Sequence, residues 1–291
     1  MAKAIGNPGS VAIGAIGSVF GIVPSVLRRI GGRREAVPDL RPLTTSDLRL
    51  ALRAGLDDFM TFRSDIIFAC LLYPVIGLVL ARFAFQADLI PLLFPLLAGF
   101  ALLGPVAAIG LYEMSRRRAR GEEAKWSDGF SVLSSPSLGA IVMLGAILFV
   151  LFAAWIGAAG MIYAATLGPE APAGLGDLLA RATGTGAGWT MIVVGFAVGF
   201  VFAAVVLAIS VVSFPLLVDR DVGVMAAIAT SVRLAAANPG PVALWGLIVA
   251  VSLAIAAIPA LLGLVVVIPV LGHATWHLYR RAVPRDPTRT R

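Results

Sequence analysis

The sequence predicts an all-α membrane protein: six transmembrane helices in three hairpin units, each preceded by a cytosolic interfacial amphipathic helix. Three observations predict it. Of the 291 residues, 59% are hydrophobic and only 13% charged, with a mean hydropathy of +0.95, whereas soluble domains carry about 25% charge. The apolar residues fall into blocks long enough to cross a bilayer, which takes roughly 20 residues for about 30 Å of hydrocarbon. Alternating runs of barrel strands are not seen. Third, Phe94 to Arg117 (FPLLAGFALLGPVAAIGLYEMSRR) returns 164 residues later as Ile258 to Arg281 (IPALLGLVVVIPVLGHATWHLYRR). Pro95 aligns with Pro259, Gly99 with Gly263, Pro105-Val106 with Pro269-Val270, Tyr112 with Trp276, Glu113 with His277, and Arg116-Arg117 with Arg280-Arg281. An ungapped internal match of this kind implies a duplicated membrane unit with parallel repeats.

Charge placement gives the orientation. The net charge is +7, and of 23 Lys and Arg residues only Arg82 and Arg181 lie outside residues 1–63, 115–137, 219–240 and the stretch after Tyr279. That clustering is the positive-inside bias of a multi-pass chain and not a nucleic-acid footprint. It places both termini in the cytosol and favours anionic lipid headgroups as partners. The single Cys, Cys70, sits within a span and excludes a disulfide framework or a cysteine metal cluster. Arginine outnumbers lysine 21 to 2 and Ala and Gly abound, a composition of high-GC bacterial genomes.

In chain order, residues 1–43 form a basic lead, expected to be disordered or surface-lying. Its apolar stretch Ser10 to Val23 carries three glycines and is too short to span. Residues 44–283 form the six-span membrane domain, and 284–291 a basic cytosolic tail. From Thr44 to Arg63, Leu48, Leu52, Leu56, Phe59 and Phe62 share one helical face, with Arg49, Arg53, Asp57 and Asp58 opposite. This reads as a helix lying in the interface plane. Ile66–Phe85 is the first span; a turn at Gln86-Ala87-Asp88 leads to the second, Leu89–Met114. Glu122–Leu133, with Trp126, Phe130 and Leu133 on one face, is a second interfacial helix. The third span is Leu138–Ala164. The Gly/Pro-rich residues 165–188 form an outer loop, and Gly188–Val218 is the fourth span. Val222–Ala236 is the third interfacial helix, broken by Asn238-Pro239-Gly240-Pro241. Val242–Ile258 and Ile258–Arg281 complete the six. Gly195, Gly199 and Ala203 form a small-residue seam on the fourth span, read as packing inside the bundle.

Several strings within this plan are distinctive: YPVIGLVLA (Tyr73–Ala81), FPLLAGFALLGP (Phe94–Pro105), GLYEMSRRR (Gly110–Arg118), SVVSFPLLVDRDVG (Ser210–Gly223), TSVRLAAANP (Thr230–Pro239) and PVLGHATWHLYR (Pro269–Arg280). Together they resemble the bacterial domain-of-unknown-function family 2189, predicted integral membrane proteins, over roughly residues 45–283. The resemblance implies a polytopic inner-membrane protein and no assigned activity. A cytochrome-oxidase label attached to some members does not survive the residues. His273 and His277 are the only histidines and share one helix, and an i,i+4 pair cannot reach opposite faces of a haem.

Candidate functional positions are therefore few. His273 and His277 lie about 6 Å apart on one face and could chelate a metal, or serve as interfacial polar residues beside Trp276 and Tyr279. Glu113, the repeat counterpart of His277, either meets it across the repeat axis or pairs with the arginines beside it. Asp219, Arg220 and Asp221 close the fourth span, with Arg233 and Asn238 downstream. They read as a boundary with a local ion pair, or as a pin in which Asp219 or Asp221 holds Arg233. No phosphate loop, nucleophile–base pair or dinucleotide fingerprint occurs, so no enzyme and no cofactor is expected. The leading reading is a membrane interaction or scaffold protein, with lipids and a membrane-protein partner. The alternatives are a transporter or lipid-handling protein with a site between the repeats, and a metal or redox protein at His273 and His277.

Overall fold

The computed structural model of the chain describes residues 38–86, 89–168 and 170–284. Residues 1–37, the turn residues 87–88 and most of the basic tail, over which expectations were stated above, lie outside the described residues. The described residues are helical, with no strand among them. Twelve α-helices follow in order: α1 (Thr45–Cys70), α2 (Leu72–Gln86), α3 (Leu93–Leu102), α4 (Gly104–Ala107), α5 (Ile109–Arg118), α6 (Leu138–Thr166), α7 (Leu175–Gly184), α8 (Gly186–Ser210), α9 (Ser213–Asp219), α10 (Val224–Ala237), α11 (Pro239–Ala257) and α12 (Leu264–Ala282). Two stretches of tighter 3₁₀ winding, Ile90–Leu92 and Trp126–Ser134, complete the order.

The first helix differs from expectation in two ways. It runs unbroken through the anticipated junction near Arg63 and ends at Cys70, because no proline occurs between Pro42 and Pro74. That proline falls in the first turn of α2, where its missing N–H costs nothing. Its start is fixed by a reciprocal cap: the Thr44 N–H donates to Asp47 Oδ2 at 2.9 Å and the Asp47 N–H to Thr44 Oγ1 at 3.3 Å. The buried face is also rotated. Leu48, Ala51, Gly55, Asp58 and Phe62 are buried, while Leu56, expected inside, is 49% exposed. The end of the lead is tied down beside it, with the Arg41 N–H on the Ala282 carbonyl at 2.9 Å.

Prolines divide the anticipated second span into pieces. Pro105 offers no N–H to the Ala101 carbonyl, and the helix breaks at Leu103 and again at Ala108. The Tyr73 hydroxyl donates to the Ala107 carbonyl at 2.8 Å beside the second break. The fourth span breaks in the same manner at Val211–Val212, four residues before Pro215 in the first turn of α9. The second interfacial element is 3₁₀ and starts at Trp126, not an α-helix from Glu122. Its Trp126, Phe130 and Leu133 do share a face, and all are exposed. The loop of residues 165–188 contains a helix, α7, that the sequence reading missed. The anticipated sixth span begins late, at Leu264, because Ala260 (φ 50°) and Leu261 (φ 66°) turn the chain in the left-handed region.

Among the described residues, three helices are long and apolar enough to cross a membrane: Leu138–Thr166, Gly186–Asp219 (α8 with α9) and Pro239–Ala257. Only 6% of the most apolar window of the second is buried, so its side chains face outward along most of its length. The densest burial lies elsewhere, where α5, α9 and the C-terminal half of α12 meet. Tyr112, Phe214, Leu217, Trp276 and Tyr279 are buried together there. Around this centre α1 lies along α12, the Trp126–Ser134 stretch lies on α5, and α10 lies on α8 and α9. Gly199 of the small-residue seam does pack inward, onto the Trp155 ring, whereas a Cβ at Gly195 would meet open space.

Candidate functional site

The close approach of α1 to α12 assembles a polar cluster inside this base. A Cβ built on Gly55 would stand 2.5 Å from the Ala274 backbone nitrogen, so only glycine permits the crossing. One turn further along α1, Asp58 is thereby carried into the interior at 3% exposure. Its carboxylate Oδ2 accepts from Ser115 Oγ of α5 at 2.5 Å and from His277 Nε2 of α12 at 2.9 Å. Arg118 Nη1 donates to Oδ1, and Arg118 Nη2 reaches the exposed Asp57 at 2.9 Å. Ser115 has one hydroxyl proton, and it points to Asp58. His273 Nδ1, 2.7 Å from the same oxygen, therefore carries the proton and donates. The result is a directed chain, His273 to Ser115 to Asp58, with His277 joining from the other side. Burial alone would raise the Asp58 carboxyl. Hydrogen bonds from His277 and Ser115, and attraction to the two imidazoles, outweigh it and hold the group below the usual carboxylate range.

The positions singled out from sequence fall partly within this cluster. His273 and His277 both belong to it, held by Ser115 and Asp58. Glu113 does not meet His277; of the two readings given for it, pairing with the arginines beside it is the one the structure shows. Its buried carboxylate accepts from Arg116 Nε at 2.6 Å, Arg117 Nε at 3.0 Å and Ser131 Oγ at 3.3 Å, because Arg116 and Arg117 lie one turn ahead on the same helix. The Asp–Arg233 pin is corrected. Asp219 accepts from the buried Tyr279 hydroxyl at 2.8 Å and from Arg280 at 3.2 Å, while Arg233 is exposed with no ion pair among the described residues. Arg220 donates to the Pro284 carbonyl, and Asp221 is half-buried with no ion pair among the described residues. Asn238 is a pin of another kind. Its Oδ1 accepts the Leu43 N–H at 2.7 Å and its Nδ2 donates to the Leu234 carbonyl at 3.1 Å, joining the lead to the α10–α11 corner. The residues missed were Asp58, Ser115 and Arg118. The available signal was Gly55, four residues after Ala51, which puts two small residues on the face that also carries Asp58.

Between the pieces of the second span, the end of α8, and helices α11 and α12 lies a cleft of about 110 Å³. Its walls are apolar apart from Tyr112, Ser210 and Thr275, and neither Glu113 nor His277 reaches it. Pockets for drug-sized ligands run to about 300–1,000 Å³, so this one suits only a slender occupant. Among the described residues no group of three His, Cys, Asp or Glu side chains is placed to hold a metal ion.

No curated protein and no solved structure matches the chain. Residues 92–219, from the 3₁₀ turn before α3 to the end of α9, match the model of the family described as predicted integral membrane protein (DUF2189). That match and the long apolar helices identify an integral membrane protein that is similar, over residues 92–219, to that family.

Proposed function

We propose that this is a six-span inner-membrane protein with both termini in the cytosol, acting as a membrane interaction or scaffold protein without catalytic activity. One observation carries the reading. Among the described residues, the buried carboxylates Asp58 and Glu113 are each engaged by hydrogen bonds, and the cleft between the spans is narrow, apolar and lined by neither Glu113 nor His277. A transport route between the repeats would need polar lining that reaches those residues, so the scaffold reading is the better supported.

The outer faces of the amphipathic elements support their seating in the headgroup layer. On α1 the exposed Arg49, Arg53, Leu56 and Met60 fall within one narrow face. Trp126, Phe130 and Leu133 do the same for the 3₁₀ stretch, and Met225, Val232 and Arg233 are exposed on α10. Arg116, Arg117 and Arg118 are not available for a partner, since each is paired with Glu113, Asp128, Asp57 or Asp58. Two experiments test the proposal. Cysteines introduced by Ser127→Cys and Ala229→Cys in a Cys70→Ser background are labelled from the cytosol, and one from Gly174→Cys from the opposite side. Same-side labelling of Gly174→Cys and Ser127→Cys ends the six-span reading. Native mass spectrometry of gently solubilised membranes then finds a stoichiometric protein partner; a bound metal or a transported small molecule in its place overturns the scaffold.

A further inference from the structure

We propose that the apolar cleft is a built site for one hydrocarbon chain of a bilayer lipid. The inference depends on the membrane character of the chain and not on the scaffold reading. Small residues create the space: Ala101, Gly104, Pro105 and Ala108 line it from the broken span and Gly272 from α12. A Cβ placed on Gly104 would meet nothing within 4 Å. Along α11 the lining runs from Trp245 to Leu253, about 12 Å at 1.5 Å per residue. A small volume drawn out over that length has the shape of a single chain. The chemistry agrees. The Ser210 and Thr275 hydroxyls donate to their own helices, at Val206 and Leu271 carbonyls 2.6 and 2.7 Å away, so they are not held out toward an occupant. A polar occupant would forfeit hydrogen bonds to water without replacement, whereas a hydrocarbon chain forfeits none. The cleft's own lining is only half-buried at Ala101, Pro105, Val249 and Leu253, and α11 is fit to cross the membrane. An acyl chain of a neighbouring lipid thus enters from its own phase.

Trp245 reports on occupancy because it lines the cleft and is otherwise shielded, at 2% exposure. The full chain is reconstituted into vesicles of phosphatidylethanolamine and phosphatidylglycerol, with plain or dibrominated acyl chains; bromine quenches tryptophan on contact. The Trp245 signal is the difference between the wild-type protein and Trp245→Phe. The expected result is loss of that signal in brominated vesicles, restored by Gly104→Leu, which fills the cleft. Gly157→Leu also adds a side chain into open space, but away from the cleft, and leaves the loss in place. An undiminished Trp245 signal in the wild-type protein overturns the proposal, and so does a loss that persists in Gly104→Leu. Should Gly104→Leu fail to reconstitute, Leu253→Phe narrows the cleft from the α11 side and is read by the same criterion.

Discussion

Replacing Gly55 with alanine is the sharpest probe of how the base is held together. The added Cβ would lie 2.5 Å from the Ala274 nitrogen and 2.6 Å from its Cα, against an ordinary carbon separation of about 3.5–4.0 Å. Neither neighbour is a flexible side-chain tip, so α1 and α12 must part by about 1 Å. The His277–Asp58 hydrogen bond, now 2.9 Å, would then stretch to about 3.9 Å, beyond hydrogen-bonding range. Alanine gains about 1 kcal/mol of helix propensity over glycine. Overpacking costs about 1–3 kcal/mol, and a lost hydrogen bond to a charged group about 1.5–3 kcal/mol. The balance is a net destabilisation of about 1.5–5 kcal/mol. On the scale of soluble proteins of 150–250 residues that lowers the melting temperature by at least about 3 °C. The assay is thermal challenge in detergent followed by size-exclusion detection of the folded monomer. Gly157→Ala is the control, because a Cβ there meets nothing and alanine should be neutral or mildly stabilising. If Gly55→Ala melts no lower than Gly157→Ala, the reasoning about the crossing is wrong.

Three further outcomes follow from the same contacts. Because the folded state holds Asp58 below its ordinary pKa of about 3.9, its contribution to stability is present above that pH and lost as pH falls through the folded value. Asp58→Asn should therefore be less stable at neutral pH yet lose less stability on acidification, and parallel melting curves from pH 7 to pH 3 would refute this. Asn238→Ala removes the acceptor of the Leu43 N–H, costs about 1–2 kcal/mol, and should speed limited proteolysis just before Thr44; unchanged cleavage there denies the pin. Arg233→Gln should stay within about 0.5 kcal/mol of the parent, whereas Asp219→Ala strands the buried Tyr279 hydroxyl and should melt clearly lower. The reverse order would reinstate an Asp219–Arg233 pair.

What was legible in the sequence was apolar length. α6, α8 and α11 were placed within a few residues, because long apolar runs bounded by Ser-Pro, Gly or Asn-Pro-Gly-Pro leave little choice. What was not legible was set by tertiary contact. Asp58 was assigned to the solvated face by its charge, since nothing local shows that Ser115, 57 residues on, and His277, 219 residues on, would satisfy it. Leu56 went to the buried face for the converse reason. The prolines of the second span were visible, but the positions of the two breaks were not, and one of them lies beside the Tyr73 hydroxyl on the Ala107 carbonyl. Helix α7 was hidden by the glycines and prolines around it, although Leu175, Leu178, Leu179 and Ala182 already carried its period.

The repeat reading gains its strongest support from contacts that correspond position by position. Gly110 and Ala274 are equivalent in the ungapped match, and each receives a glycine of an amphipathic element, Gly129 and Gly55 respectively. Arg117 and Arg281 are equivalent, and each pairs with an aspartate of that same element, Asp128 at 3.1 Å and Asp47 at 3.2 Å. Glu113 and His277 are equivalent, and each bonds a polar side chain just past that glycine, Ser131 and Asp58. The acid stands on α5 in one matched pair and on the amphipathic helix in the other. Glu113 and His277 therefore do not meet, since each already has a partner on the amphipathic element packed against its own helix. The first described helix packs on the last in the same pattern. The Trp126–Ser134 stretch lies on the helix that precedes it, α10 lies on α8 and α9 before it, and α1, with no helix before it among the described residues, takes the corresponding place on α12.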